Sequence, residues 1–323
     1  MSTPVAQSKL ERTNEELVEE LRRRGKANVL NDATSTLFEA SSLGDVPTDE
    51  IIRTLQNRWE AIYGKDNRQD LFEITDREIV RQADAVAAFF EESSVIDNGD
   101  GTSTLRTVSY GEQNGLCEDE RFYKQPIGAF CSGFLMAPQV IATAGHCVAD
   151  SDITQIRVVF GFRMKSATEA VTRLPNSEIY RVSSVIAQKL TNGAADWALL
   201  KLDRPVVNHE PVTIRKQGKV ENKAKLHLIG YPAGLPIKVA GDAEVLLNQK
   251  PTHFAASLDA FHGNSGSPVF NSSTNEVEGI LVRGEVDFVS NGSCNVANVC
   301  TTACKGEDCT RTTEFSEHLS RLL

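Results

Sequence analysis

The spacing of apolar positions changes character near residue 95. Before it, three stretches follow helical periodicity. LERTNEELVEELRRR is heavily charged, with acids early and arginines late, as the helix dipole favours. TDEIIRTLQNRWEAIYG sets Ile51, Leu55, Trp59 and Ile62 on one helical face. TDREIVRQADAVAAFFEE opens with Thr75 and carries Glu78 three residues on, the pattern of a capping box. Its apolar face would hold Ile79, Ala83, Val86 and Phe90. Residues 1–95 are therefore predicted to be an α-helical N-terminal extension. IDNGDGTSTL is rich in turn formers, and residues 96–104 read as a linker containing a hairpin turn. From about residue 105 to 323, short apolar runs such as AFCSGFLMA, QVIATAG, QIRVVFGF, WALLKL, KLHLIGY and EGILV alternate with Gly, Pro and Asn. That texture predicts an all-β barrel or sandwich.

The 323-residue chain has a formal net charge of -10, which argues against nucleic acid as a partner. No apolar run is long enough to cross a membrane as a helix. The N-terminus lacks the apolar core of a secretory signal, which reads as cytoplasmic. The seven cysteines, all from Cys117 onward, read the other way, toward a secreted or periplasmic protein with disulfides. Their irregular spacing contains no CxxC pair, so no zinc site is expected, and the chemistry read below requires no metal or organic cofactor.

Three segments carry candidate chemistry, in the order His, Asp, Ser. IATAGHCV ends an apolar strand in small residues that leave room for the imidazole of His146. DWALLKLDRP opens a strongly apolar strand with Asp196, a carboxylate that needs a hydrogen-bond donor if buried, and a histidine N–H is one. HGNSGSPVF surrounds Ser265 with glycines, which free the backbone to aim the N–H groups of Gly263 and Ser265 into one anion-binding concavity. A nucleophile, a base, an orienting acid and an oxyanion hole are what acyl transfer requires.

TAGHC, DWALLKL and GNSGSP resemble, in order and separation, the signature segments of chymotrypsin-like serine proteases. GNSGSPVFN and IGYPAGLPIK are closest to the bacterial glutamyl-endopeptidase-like members. The resemblance covers about residues 105–290. It implies two six-stranded antiparallel β-barrels with His146, Asp196 and Ser265 in the cleft between them, a disulfide between Cys131 and Cys147, and a protein or peptide substrate. It also implies that Asp259, six before the serine, sits at the base of the primary specificity pocket and attracts Arg or Lys, with Gly284 keeping the pocket wall open. Phe261 replaces a usual cysteine beside it. Cleavage after glutamate is the alternative. It is weakened because Leu281 stands where such relatives carry a histidine and Ala260 where they carry a hydroxyl. His262 is a candidate for the pocket mouth. Asn264 stands where many relatives have the aspartate that pairs with a new N-terminal amine after zymogen cleavage, so that ion pair is unavailable. The N-terminal extension would be a pro-segment removed by an activating protease, or a docking module. A catalytically silent homologue that binds partners through the cleft is the contrasting class. Such proteins usually lack the serine or the histidine, and both are present here.

Overall fold

The computed structural model describes residues 62–319 apart from 150, 192, 285 and 301–304. The helices read over residues 10–24 and most of 48–64 lie outside the described residues. The chain divides into two compact units, Met1–Trp59 and Glu60–Leu323, and the described residues all belong to the second.

A short strand β1 (Arg68–Asp70) is followed by helix α1 (Arg77–Asp84). The cap of α1 is Asp76, whose side chain accepts from Glu78 N–H at 2.8 Å, not Thr75. The helix ends at Asp84, and the chain continues as strand β2 (Val86–Glu91). This corrects the helical reading of AVAAFFEE. Val86 to Phe90 are all buried, so neither face needed polar residues. Such a run reads alike as buried helix and buried strand, and β-favouring Val and Phe decide it. Residues 96–104 are likewise not a free linker. Val95–Asp97 and Thr102–Leu105 form a hairpin around the DNGDG turn, and 102–105 pairs on with Arg173–Pro175.

Strands β2, β3 (Cys131–Ala137), β4 (Val140–Thr143), β5 (Ile156–Val159), β6 (Ile179–Leu190) and β7 (Asp196–Leu202) close an antiparallel barrel in the order β5-β6-β7-β4-β3-β2. Its interior is filled by fully buried aromatics, among them Phe89, Phe90, Phe134 and Phe162. Each contributes roughly 2–3 kcal/mol by burial. A second ring contains β8 (Lys225–Gly230), β9 (Lys238–Leu247), β10 (His253–Ala256), β11 (Pro268–Asn271), β12 (Val277–Arg283) and β13 (Glu307–Arg311). Their order is β8-β11-β12-β13-β10-β9, and pairing of β9 with β8 closes it. Two closed six-stranded barrels are the expected architecture.

The segment before the first barrel is a strap on the second. β1 pairs with β9, and Ile62–Tyr63 pairs with Val299–Cys300. Asp70 of the strap binds the buried Lys238 ammonium at 2.6 Å, and Gln125 Oε1 and the Pro236 carbonyl take its other two donors. Burial still pushes Lys238 down to about 8, against the pull of Asp70.

Candidate active site

β4 and β7 run antiparallel with Thr143 opposite Ala198, so continuing the register places Gly145 opposite Asp196. His146 follows in a single 3₁₀ turn, Gly145–Cys147. Its backbone N–H donates to Asp196 Oδ1 at 3.1 Å, and its Nδ1 lies 2.8 Å from Asp196 Oδ2. A Cβ on Gly145 would come within 3.1 Å of Asp196 Oδ1 and 3.0 Å of the Trp197 carbonyl, so glycine fits where the common pattern has alanine. Burial pushes the Asp196 carboxyl up. The His146 ring and backbone N–H, and the Arg283 guanidinium, more than offset this and hold it below the usual carboxylate range. An ionised carboxylate only accepts, so Nδ1 carries the hydrogen and Nε2 the lone pair.

The loop bearing Ser265 comes from the second barrel and is latched to the first by Ser132 of β3. Ser132 N–H donates to the Ser265 carbonyl at 2.9 Å, and Ser132 Oγ to the Gly263 carbonyl at 2.7 Å. The same Oγ accepts from Tyr231 N–H at 3.1 Å. Gly266 has φ +94°, and a Cβ there would collide with the Ser132 carbonyl and Thr143 Oγ1. The Ser265 carbonyl also lies 3.6 Å from Cys147 Sγ, one residue from His146. Cys131 and Cys147 form the expected disulfide, which ties β3 to the histidine turn. Their sulfurs lie beside the His146 ring, but bonded to each other they offer no thiolate to a metal. A second disulfide joins Cys117 to Cys294.

Gly263 adopts φ +87°, which side-chain-bearing residues rarely reach, and a Cβ there would lie 2.6 Å from the Tyr231 carbonyl. The His262 carbonyl is turned back to accept from Ala233 N–H. The N–H groups of Gly263 and Ser265 donate to no carbonyl among the described residues, and they bracket Ser265 as an oxyanion hole would. Asn264 is buried, and its Oδ1 accepts from Ser267 Oγ at 3.2 Å.

Asp259 does not lie where the resemblance put it. Tyr63 N–H binds its Oδ1 at 2.6 Å and Asn67 N–H its Oδ2 at 2.9 Å, so both oxygens belong to the strap. The reason is the two-residue period of extended chain. Leu258 and Ala260 pack into the second barrel with Leu281, while Asp259 and Phe261 face the other way. There the Arg68 guanidinium lies 4.1 Å over the Phe261 ring. Burial pushes Asp259 up to about 6, against its two backbone donors. His262, a third exposed, bonds through Nδ1 to the buried Asp287 carboxylate. Gly284 follows β12, and the space its missing Cβ leaves is taken by the Glu307 carboxylate.

Residues 131–280 match the family of the trypsin-like peptidase domain. Glutamyl endopeptidase of Bacillus licheniformis is 25% identical over 192 residues, 56% of each chain, so the match spans little more than half of that relative. Among solved structures, the VesB protease of Vibrio cholerae aligns at TM-score 0.47 and 13% identity over 79% of this chain and 67% of its own. A Glu endopeptidase solved with MPD aligns at TM-score 0.46 and 18% identity over 81% of this chain and 100% of its own.

Sequence reasoning missed three residues around this site. Arg283 donates to the Ala194 carbonyl at 3.1 Å and to Asp308 Oδ2 at 3.2 Å, fixing the turn that leads into Asp196. Thr310 Oγ1 accepts from Asp196 N–H at 3.1 Å. Asp287 holds His262. The LVRGEVDFV and EDCTR segments that supply these groups carry no local signal, because their partners lie far off in sequence.

Proposed function

We propose that the chain is a serine endopeptidase that cleaves through an acyl-enzyme. The observation that carries the reading is the His146–Asp196 pair beside a serine loop latched to the same barrel by Ser132. The Nε2 lone pair of His146 takes the Ser265 hydroxyl proton as Oγ attacks the substrate carbonyl carbon. Gly263 and Ser265 N–H groups take up the charge on the carbonyl oxygen. Asp196 accepts from Nδ1–H throughout and stabilises the imidazolium without itself being protonated. The imidazolium then gives its proton to the leaving amine as the C–N bond breaks. Water, deprotonated by the same imidazole, releases the acyl group.

The test is labelling by a fluorophosphonate. Ser265 should become modified, and Ser265→Ala should lose about 10⁴-fold or more in turnover while keeping its fold. A folded wild-type chain that neither reacts nor cleaves a peptide mixture leaves only the silent-homologue reading. Cleavage after glutamate has the relative's name in its favour. A diverse peptide library, read at the residue before each cut, separates it from cleavage after Arg or Lys.

A further inference from the structure

We propose that Asp287 is a positioning residue for the oxyanion hole: it grips residue 262 from behind and so keeps the Gly263 N–H turned toward the substrate carbonyl. This rests on the peptidase reading above.

The first observation concerns the peptide between His262 and Gly263. A planar trans peptide presents its N–H and its carbonyl in opposite directions. Turned one way, this peptide offers the Gly263 N–H to an oxyanion. Turned over, it would offer the His262 carbonyl, which repels one. Here the His262 carbonyl accepts from Ala233 N–H, so the Gly263 N–H points the other way. Ala233 donates from a left-handed conformation, φ 51° and ψ 23°, which a residue with a Cβ seldom adopts. Backbone held in so unfavourable a region needs its surroundings to fix it. The carbonyl stays on Ala233 only if the Cα that carries it keeps its place.

The second observation is what keeps it there. The His262 backbone N–H lies 3.3 Å from each oxygen of the buried Asp287 carboxylate, and the His262 ring bonds through Nδ1 to Asp287 Oδ2. One carboxylate thus holds the main chain and the side chain of the residue whose carbonyl must not turn. Burial pushes the Asp287 carboxyl up, and the His262 ring and backbone N–H work against that rise. Hydrogen bonds to an ionised acceptor are about twice as strong as neutral ones, which suits a grip made at the edge of a loop.

The third observation is that Asp287 is itself braced. Asn298 N–H donates to the Asp287 carbonyl at 2.8 Å, and Asn298 Nδ2 to the Val286 carbonyl at 2.6 Å. The Asn298 carbonyl accepts from Ile62 N–H of the strap at 3.0 Å. The hairpin that follows Asp287, Phe288–Ser290 with Asn295–Ala297, is tied to residue 117 by the disulfide at Cys294. A turn that could have moved freely is therefore a fixed point, and its acid is aimed at the loop that ends in Ser265.

The test uses the full-length chain, a fluorogenic peptide amide that it cuts, and a trifluoromethyl ketone of the same peptide. Ser265 Oγ adds to the ketone carbon, the carbonyl π bond opens, and His146 takes the hydroxyl proton. The resulting oxyanion lies in the hole, so affinity for the ketone reads the hole directly. Asp287→Ala should lower kcat about 10–100-fold with KM within about threefold, and should weaken the ketone by the same factor as kcat/KM. Asp287→Asn should fall between alanine and wild type, because its amide offers the His262 N–H one acceptor in place of two. A purely structural loss would instead reduce the fraction of sites titrated by fluorophosphonate and leave kcat per titrated site and ketone affinity unchanged. That result refutes the proposal, as does a fall in kcat without a matching fall in ketone affinity. If Asp287→Ala does not fold, Asp287→Asn decides alone, and a kcat and ketone affinity equal to wild type overturn the role of Asp287. In all these cases wild type labels and cuts, and the peptidase reading stands. A wild type that does neither refutes both.

Discussion

Asp259 offers a sharp check, because the geometry turns it from a substrate contact into a structural acid. Its ordinary value of 3.8 is pushed up to about 6, a shift of about 2 units, or about 3 kcal/mol. Between those pH values the folded chain keeps a proton that the unfolded chain has lost. Stability from this group therefore falls as pH rises from about 4 to about 6, and is flat on either side. Asp259→Asn removes the titration. Its amide can accept from only one of Tyr63 and Asn67, which costs about 1–3 kcal/mol, but it no longer buries a charge. Wild type should be the more stable by that amount near pH 4, and the two should be nearly equal, or reversed, at pH 7. Urea unfolding of both proteins from pH 3.5 to 7.5, plotted as a difference, reads this directly. A difference curve that stays flat within about 1 kcal/mol, together with loss of the substrate preference, would mean that the carboxylate faces the pocket after all.

Four further outcomes follow from the same geometry. Gly263→Ala forces a Cβ toward the Tyr231 carbonyl at a positive φ, so kcat should fall by about 10²–10³ with His146 and Ser265 untouched, measured on a peptide amide. Arg283→Gln removes a cation that helps hold Asp196 below its usual range. The imidazolium is then favoured, and the acid limb of the kcat/KM profile should move to higher pH, whereas a purely structural role would lower kcat with the limb in place. Ser132→Ala leaves the Gly263 carbonyl and Tyr231 N–H without their shared hydroxyl, and should cost about 2–4 kcal/mol in urea unfolding. Deleting residues 1–104 takes β1, α1 and β2 away and should abolish cooperative unfolding, while deleting 1–59 should preserve it.

The candidate triad was legible because each member sits in a short motif whose local chemistry is explicit: small residues around His146, an acid heading an apolar strand at Asp196, glycines around Ser265. Two closed barrels came from the resemblance those motifs carry. What the sequence hid depends on long-range contact. Val86–Glu91 read as helix because a strand buried on both faces shows no alternation. The strap was invisible because Tyr63 and Asn67 meet Asp259 across 196 and 192 residues. Whether an acid in an extended run faces pocket or strap turns on a one-residue phase, and no spacing from Ser265 fixes that phase.

Asn264 and the strap together bear on how the turn before Ser265 is supported. A charged aspartate at 264 would need a buried cation. The neutral amide oxygen accepts from Ser267 Oγ and needs no buried cation. The face of residues 259–261 that would otherwise lie open is covered from within the chain. Tyr63 and Asn67 bind Asp259, Arg68 stacks on Phe261, and Asp70 locks β1 to Lys238. Losing the strap would take from Asp259 both of its backbone donors and from Lys238 its carboxylate partner. The strap is thus bound to the second barrel by these polar contacts and by its strand pairing with β9. Any control exerted by residues 1–59 has to act on a site whose internal supports already lie C-terminal to them.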